Sequence, residues 1–331
     1  MNTAPSSPLS PISTTASELP RHVPDRPLLD ATNLAPASGE RALVLGGGGS
    51  TGNAWLIGVI AGLSDAGLDV TTADLTIGTS AGSTAAAQLA GAAPAELFAT
   101  ILAATPPQRT RPVGSEQGRV PVSPVTDHLE RIRKIIASAD DAADMRRRMG
   151  AAALDMASAS DGSWQTQWRA TVASRLPSQC WPQRTVLITA VDAQTGEPVV
   201  FDRHSGIDLA DAVAASCASG LPYRIGDKRY IDGGYRSNAE NADLAAGCGR
   251  VLVLSPFGGR SLAPLEWGVH LATQVEELRS RGSRVETIFP ESSSEHLFGA
   301  NAMDLSLRPA AARAGYDQGK ALAGKLAVFW R

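Results

Sequence analysis

The sequence predicts an α/β protein of three layers, with helices on both faces of a mostly parallel central sheet and a helical insertion. Three observations carry this prediction. Short apolar runs recur in the form of buried parallel strands, glycine-rich turns follow the first two of them, and segments with helix-like apolar spacing follow the turns. With 331 residues, 43% of them apolar, the chain can bury one large core, and beyond residue 38 no stretch stands out as a linker between two domains.

The elements follow in order. Residues 1–38 are rich in Pro, Ser, Thr and Ala without sustained hydrophobic periodicity, so they are expected to form a disordered tail ahead of one domain over residues 39–331. Ala42-Leu-Val-Leu45 is the first strand, Gly46-Gly-Gly-Gly-Ser-Thr-Gly52 a glycine turn, and Asn53 to Leu63 a helix closed by Gly67. Leu75-Thr-Ile77 is a second strand, running into Gly78-Thr-Ser-Ala-Gly82 and a small-residue helix from Ser83 to about Gly91. From about 94 to 175 the pattern changes to helices of mixed charge, with Leu129, Ile132 and Ile136 on one face, and reads as an insertion or cap over the sheet. Thr185–Val191 and Glu197–Phe201 form a hairpin about Asp192-Ala-Gln-Thr-Gly196. A short helix over Leu209–Cys217, strands at Lys228–Ile231 and Arg250–Leu254, and helices over Leu265–Arg281 and Ala310–Trp330 complete the pattern.

A formal net charge of -3 provides no global field for nucleic acid, which is not expected as a partner. Cys180, Cys217 and Cys248 are odd in number and widely spaced, which fits reduced, packed thiols better than disulfides or a zinc site. The start of the chain lacks the basic and apolar segments of a signal peptide, and no run reaches the ~20 apolar residues of a spanning helix. A cytoplasmic location is expected, with peripheral membrane contact left open.

Three motifs carry chemistry. Gly78-Thr-Ser80-Ala81-Gly82 matches the G-x-S-x-G elbow, which projects a serine hydroxyl from a sharp strand-to-helix turn beside the free N–H groups of a helix N-terminus. Upstream, Gly47, Gly48 and Gly49 can present backbone N–H groups without side-chain obstruction, as an oxyanion hole requires. The same loop also spells G-x-G-x-x-G at Gly47, Gly49 and Gly52, the fingerprint of a nucleotide-binding module. That alternative calls for an acidic residue at the end of the second strand, where this chain has Gly78-Thr-Ser80 instead. Asp232-Gly233-Gly234 follows a strand, so its carboxylate sits at a strand end. The simpler alternative for the serine elbow and for Asp232-Gly233-Gly234 is a turn with a capping polar residue.

Taken in this order, Leu45 to Gly52, Gly78 to Gly82 and Asp232 to Gly234 resemble the oxyanion, nucleophile and aspartate motifs of the patatin-like phospholipase family, over about residues 40 to 260. Ala190-Val-Asp-Ala-Gln-Thr-Gly196 and Ala214-Ala-Ser-Cys217 are less specific echoes. The resemblance implies a lipid acyl hydrolase with a Ser80/Asp232 dyad, oxyanion donors among Gly47, Gly48, Gly49 and Ala81, and a lipid or ester substrate. It departs at Thr51, where the family usually has Arg or Lys. A soluble carboxylesterase acting on short esters is the alternative within acyl transfer. No cofactor or metal is implied, because Ser, Asp and backbone N–H groups suffice. His270 and His296 follow Asp232 in the chain order of a Ser-Asp-His triad but read as ordinary histidines, and His128 and His204 as solvent-facing ones. Asp192 and Asp202 read as turn residues, and Arg146-Arg-Arg148 as a solvated face. Leu221-Pro-Tyr223 is open to either a pocket or a core assignment.

Overall fold

Alternation along the first strand sets the layers: Leu43 and Leu45 point into one apolar cluster, Ala42 and Val44 into another on the opposite face. The structure, a computed structural model, describes residues 40–104, 124–158, 160 and 162–331. The expected tail, with His22, lies outside the described residues. In chain order the elements are β1 (Arg41–Leu45), α1 (Gly49–Asp65), β2 (Leu75–Gly78), α2 (Ala81–Gly91), α3 (Pro94–Ala103), α4 (Pro124–Ser138), α5 (Ala142–Ser158) and α6 (Ser163–Ala173). Then come β3 (Thr185–Asp192), β4 (Pro198–Phe201), α7 (Leu209–Ser216), β5 (Tyr223–Ile225), β6 (Lys228–Asp232), β7 (Arg250–Leu254), α8 (Leu271–Ser280), β8 (Arg284–Ile288) and α9 (Arg308–Trp330).

Strands β8, β7, β1, β2 and β3 pair in parallel in that order; β4 lies antiparallel on the far edge of β3, and β6, paired in turn with β5, lies antiparallel on the near edge past the end of β2. One face is covered by α1, α2, α7 and α9, and the other by α8 with a 3₁₀ turn at Ala242–Ala245. The three-layer α/β/α architecture is therefore the observed one. Helix α3 packs on α1 and α9 within the first layer. Helices α4 and α5 cover the far ends of β3 and β6, where Met145 and Met149 meet Val191 and Ile231.

The tightest packing is between α1 and α9, which run in the same direction. A Cβ on Gly58 or Gly62 would collide with the carbonyls of Ala312 and Tyr316, and one on Gly315 or Gly319 with those of Trp55 and Val59. Two pairs of glycines at four-residue spacing thus let the helix backbones touch.

The structure differs from the sequence expectation in four places. Gly49–Gly52, expected in the glycine turn, already form the first turn of α1. Leu265–Arg281 is a helix only over α8, because Gly268 adopts a left-handed conformation that ends the 3₁₀ turn at Leu265–Trp267. Strands β5 and β8 were not expected. Tyr223 belongs to β5 and is buried, its hydroxyl donating to Asp211 Oδ1 at 2.5 Å, so Leu221-Pro-Tyr223 joins the core at Tyr223.

Candidate active site

Strand register builds the site. Gly78, the last residue of β2, lies opposite Ile188 of β3, while Asp232, the last residue of β6, lies opposite Ala190. Because β4 occupies the other edge of β3 at both positions, β2 and β6 share one edge, and their C-terminal ends face each other across a gap at Thr189. Asp232 reaches the site from an antiparallel strand running toward Ser80, not from the C-terminal edge of the parallel sheet as in an ordinary open α/β protein.

Ser80 occupies the turn with φ 52°, one of two non-glycine residues with positive φ among those described. Such a conformation costs on the order of 1–3 kcal/mol and persists only where its surroundings impose it. They do so here. The Ser80 N–H donates to Ser216 Oγ at 2.9 Å, and its carbonyl accepts from Ser83 Oγ at 2.6 Å and from Cys217 Sγ at 3.1 Å. A side chain at position 82 would overlap the Leu45 carbonyl, so the glycine there lets α2 start against the end of β1.

The Ser80 hydroxyl donates to Asp232 Oδ2 at 2.8 Å, and Asp232 Oδ1 accepts the Gly234 N–H at 2.8 Å. Asp232 is 7% exposed, and burial pushes its carboxyl up to about 6, moderated by the Gly234 N–H and the Ser80 hydroxyl. The arrangement is cross-braced beneath. Thr79 and Thr189 hydroxyls meet at 2.9 Å, and the Asn241 amide donates to Thr79 Oγ1 at 3.0 Å, Thr189 Oγ1 at 3.4 Å and the Gly233 carbonyl at 3.0 Å. This buried network ties β2, β3 and the end of β6 together. Asn241, Ser216 and Cys217 are site residues that sequence reasoning did not single out; the signal for the last two was the Ala214–Cys217 echo.

The glycine loop needs one correction. The Gly47 N–H donates to the Ala239 carbonyl at 2.7 Å and so is already engaged, although the residue lies beside Ser80. The N–H groups of Gly48, Gly49 and Ala81 have no acceptor among the described residues, and all three stand at or next to the first residue of α1 or α2. Gly48 and Gly49 are also required by protein contacts: a Cβ would clash with Pro256 at the first and with Ala302 at the second, where φ is +64°. Thr51 is buried, its N–H donating to the Ala302 carbonyl at 3.0 Å. A cation does reach this loop, from the start of α9. Arg308 donates to the Ser50 carbonyl at 2.7 Å, to Ser50 Oγ at 3.1 Å and to Asn53 Oδ1 at 3.1 Å. Behind the loop, burial pushes the Glu240 carboxyl up to about 7, and Ser255 Oγ donates to it at 2.5 Å.

Neither His270 nor His296 is hydrogen-bonded to Ser80 or Asp232. The ring of His270 lies 2.8 Å from the Ala263 carbonyl, and His296 sits in a 3₁₀ turn. His128 is half-buried rather than solvent-facing, between Arg131 and the Tyr235 hydroxyl, while His204 is exposed. Asp192 and Asp202 accept N–H groups two residues on, as turn residues do. Arg146 departs from the expected solvated face, donating to the Gly196 and Arg236 carbonyls, whereas Arg147 and Arg148 pair with Asp144. The three cysteines are unbridged, but only Cys248 is fully buried, and Cys180 is exposed. The described residues contain no group of three or more potential metal ligands. None of their helices alone is long and apolar enough to cross a membrane.

The sequence profile described as patatin-like phospholipase matches residues 43–244, more than half of the chain and the span that holds the glycine loop, Ser80 and Asp232. The chain belongs to the patatin-like phospholipase family. Lipid acyl hydrolysis is the general activity this membership supports, and the observed three-layer fold is patatin-like. No curated protein matches the sequence. Among solved structures, VipD from Legionella pneumophila is similar at 13% identity and a TM-score of 0.39, over 88% of this chain and 67% of that one. The type III effector protein ExoU is similar at 14% identity and a TM-score of 0.36, over 88% of this chain and 54% of its own. Full-length ExoU in complex with SpcU, from the type III secretion system of Pseudomonas aeruginosa, gives 16% identity and a TM-score of 0.34, over 88% and 53% respectively. This patatin-like chain thus spans about half the length of ExoU.

Proposed function

We propose that this patatin-like chain hydrolyses carboxylic esters of lipids through a Ser80/Asp232 dyad and an acyl-enzyme. The observation that carries the proposal is the 2.8 Å hydrogen bond from the Ser80 hydroxyl to a buried carboxylate at the tip of a strained elbow. As Ser80 Oγ bonds to the ester carbonyl carbon, Asp232 takes its proton; the negative charge collects on the carbonyl oxygen, within reach of the N–H groups of Gly48, Gly49 and Ala81. Asp232 returns the proton to the departing alcohol, leaving the acyl group on Ser80. Water then attacks this ester with its proton going to Asp232, which passes it to Ser80 Oγ as the acyl–oxygen bond breaks and the fatty acid leaves. A carboxylate lifted to about 6 is a far better base near neutrality than an ordinary aspartate.

Two features favour a lipid over a short soluble ester. The loop that exposes Met303 and Leu305 is the one whose Ala302 packs on Gly49, so apolar side chains adjoin the oxyanion loop. In addition, α4 and α5 set Met145 and Met149 against Val191 and Ile231, the latter next to Asp232, and we assign them as an apolar cap beside the dyad. The test is hydrolysis of phosphatidylcholine vesicles and of a chain-length series of aryl esters by wild type, Ser80→Ala and Asp232→Asn. Wild type should prefer long chains above their aggregation threshold, and Ser80→Ala should lose all measurable turnover. Turnover retained by Ser80→Ala would refute the dyad, and preference for monomeric short esters would refute the lipid assignment.

A further inference from the structure

Arg308 poses a physical puzzle. Its side chain is half-buried and has no carboxylate partner among the described residues. It sits at the N-terminal ends of α1 and α9, which carry partial positive charge, with Arg175 near enough to repel it. A cation is the wrong charge for capping these helices, so helix stability does not explain it. Burial, with a smaller contribution from Arg175, pushes its pKa down to about 10, so it is still charged near neutrality.

Its hydrogen bonds all end on α1, and one of the residues they fix is bonded in turn to α2. On one side it holds the carbonyl and hydroxyl of Ser50, in the first turn of α1 directly after Gly48 and Gly49. On the other it fixes Asn53 Oδ1, and the Asn53 amide donates onward to the Ala81 carbonyl at 3.4 Å and to Gln88 Oε1 at 3.0 Å, both in α2. Arg308 therefore holds the first turn of α1 directly and reaches α2 only through Asn53. The glycine seam between α1 and α9 sets where Arg308 falls relative to Ser50, and Arg308 lies outside the span matched by the family profile.

We infer that Arg308 is a positioning residue for ester hydrolysis: through Ser50 and Asn53 it holds the Gly48/Gly49 and Ala81 N–H groups at the spacing an oxyanion requires, and its uncompensated charge favours negative charge there. The inference rests on the Ser80/Asp232 reading. A half-buried cation left without an anion is unfavourable in the resting protein and becomes favourable when negative charge develops in the transition state.

The experiment compares wild type, Ser80→Ala, Arg308→Met, Asn53→Ala and the double variant on an aryl ester, with thermal melting measured on each. Arg308→Met should lower kcat by about 10- to 100-fold, the scale of a misplaced catalytic group, with KM held within about twofold. Millimolar methylguanidinium should recover part of that kcat, which a purely structural defect would not allow. Asn53→Ala should lose kcat in the same way, and the double variant should be little worse than the poorer single one, because both break one relay. An unchanged kcat in Arg308→Met, or losses that multiply in the double variant, would overturn the inference while leaving the dyad in place. If Arg308→Met does not fold, Asn53→Ala decides alone, and full kcat there overturns it. Turnover that survives in Ser80→Ala would instead remove the dyad and this inference together.

Discussion

The two ends of α1 are built by opposite rules. At its start the chain gathers polar groups around a serine in a strained conformation, a buried aspartate and a half-buried arginine; further along, Gly58 and Gly62 lie flat against the carbonyls of α9. The seam is apolar, regular and satisfied. The site holds a positive φ, a carboxylate lifted by burial and free N–H groups. Departures from local preference concentrate where chemistry is expected, and the well-packed region offsets them. Substitutions at the site should therefore change rate more than stability, and substitutions in the seam should do the reverse.

The largest effect expected is on rate. Asp232→Asn should lower ester turnover by about 10²- to 10⁴-fold, the usual span for losing a general base. The same variant sharpens the comparison through its stability. Folding raises the Asp232 pKa from 3.8 to about 6, so between these values the folded state binds more protons than the unfolded state. Stability attributable to this group is thus greatest below pH 3.8, falls as pH rises to 6 and stays low above it, by on the order of 2–3 kcal/mol. Chemical denaturation at pH 8 should find Asp232→Asn more stable than wild type, with the gap closing toward pH 4. A variant less stable than wild type at pH 8 would mean that the site is not strained by its carboxylate.

Smaller is the effect expected in the seam. Gly62→Ala forces a methyl group against the Tyr316 carbonyl and should cost about 1–3 kcal/mol, read as a melting point lower by several degrees. Position 62 lies about 18 Å along the helix from Ser50. Its kcat should stay near that of wild type, and a rate loss as large as that of Asp232→Asn would break the distinction between the two regions.

Much of this was legible in the sequence because its signals are local. Leu45 into Gly46 and Ile77 into Gly78 are apolar runs ending in glycine, and they became β1 and β2, although the helices after them begin earlier than read, at Gly49 and Ala81. The less legible parts depend on distant partners. Strand β8, Arg284-Val-Glu-Thr-Ile288, carries two charges in five residues, and β5 is three residues long, so neither has the apolar run that marks a strand. The periodic leucines and valine of Leu265–Arg281 hid the break at Gly268. The engaged Gly47 N–H depends on Ala239, and the cation at the glycine loop comes from position 308, so nothing within the loop announced either. That Asp232 would meet Ser80 end to end follows from β6 being antiparallel, a property of pairing rather than of Lys228–Asp232 itself.

The most direct test of the central claim is the pH dependence of covalent labelling by a fluorophosphonate, with the adduct located by mass spectrometry. The account predicts a single adduct on Ser80, formed at a rate that rises through one ionisation near pH 6, the value to which burial lifts Asp232. That ionisation should persist in His270→Ala and His296→Ala and vanish in Asp232→Asn. An adduct on another residue, or an ionisation that disappears with either histidine, would contradict it.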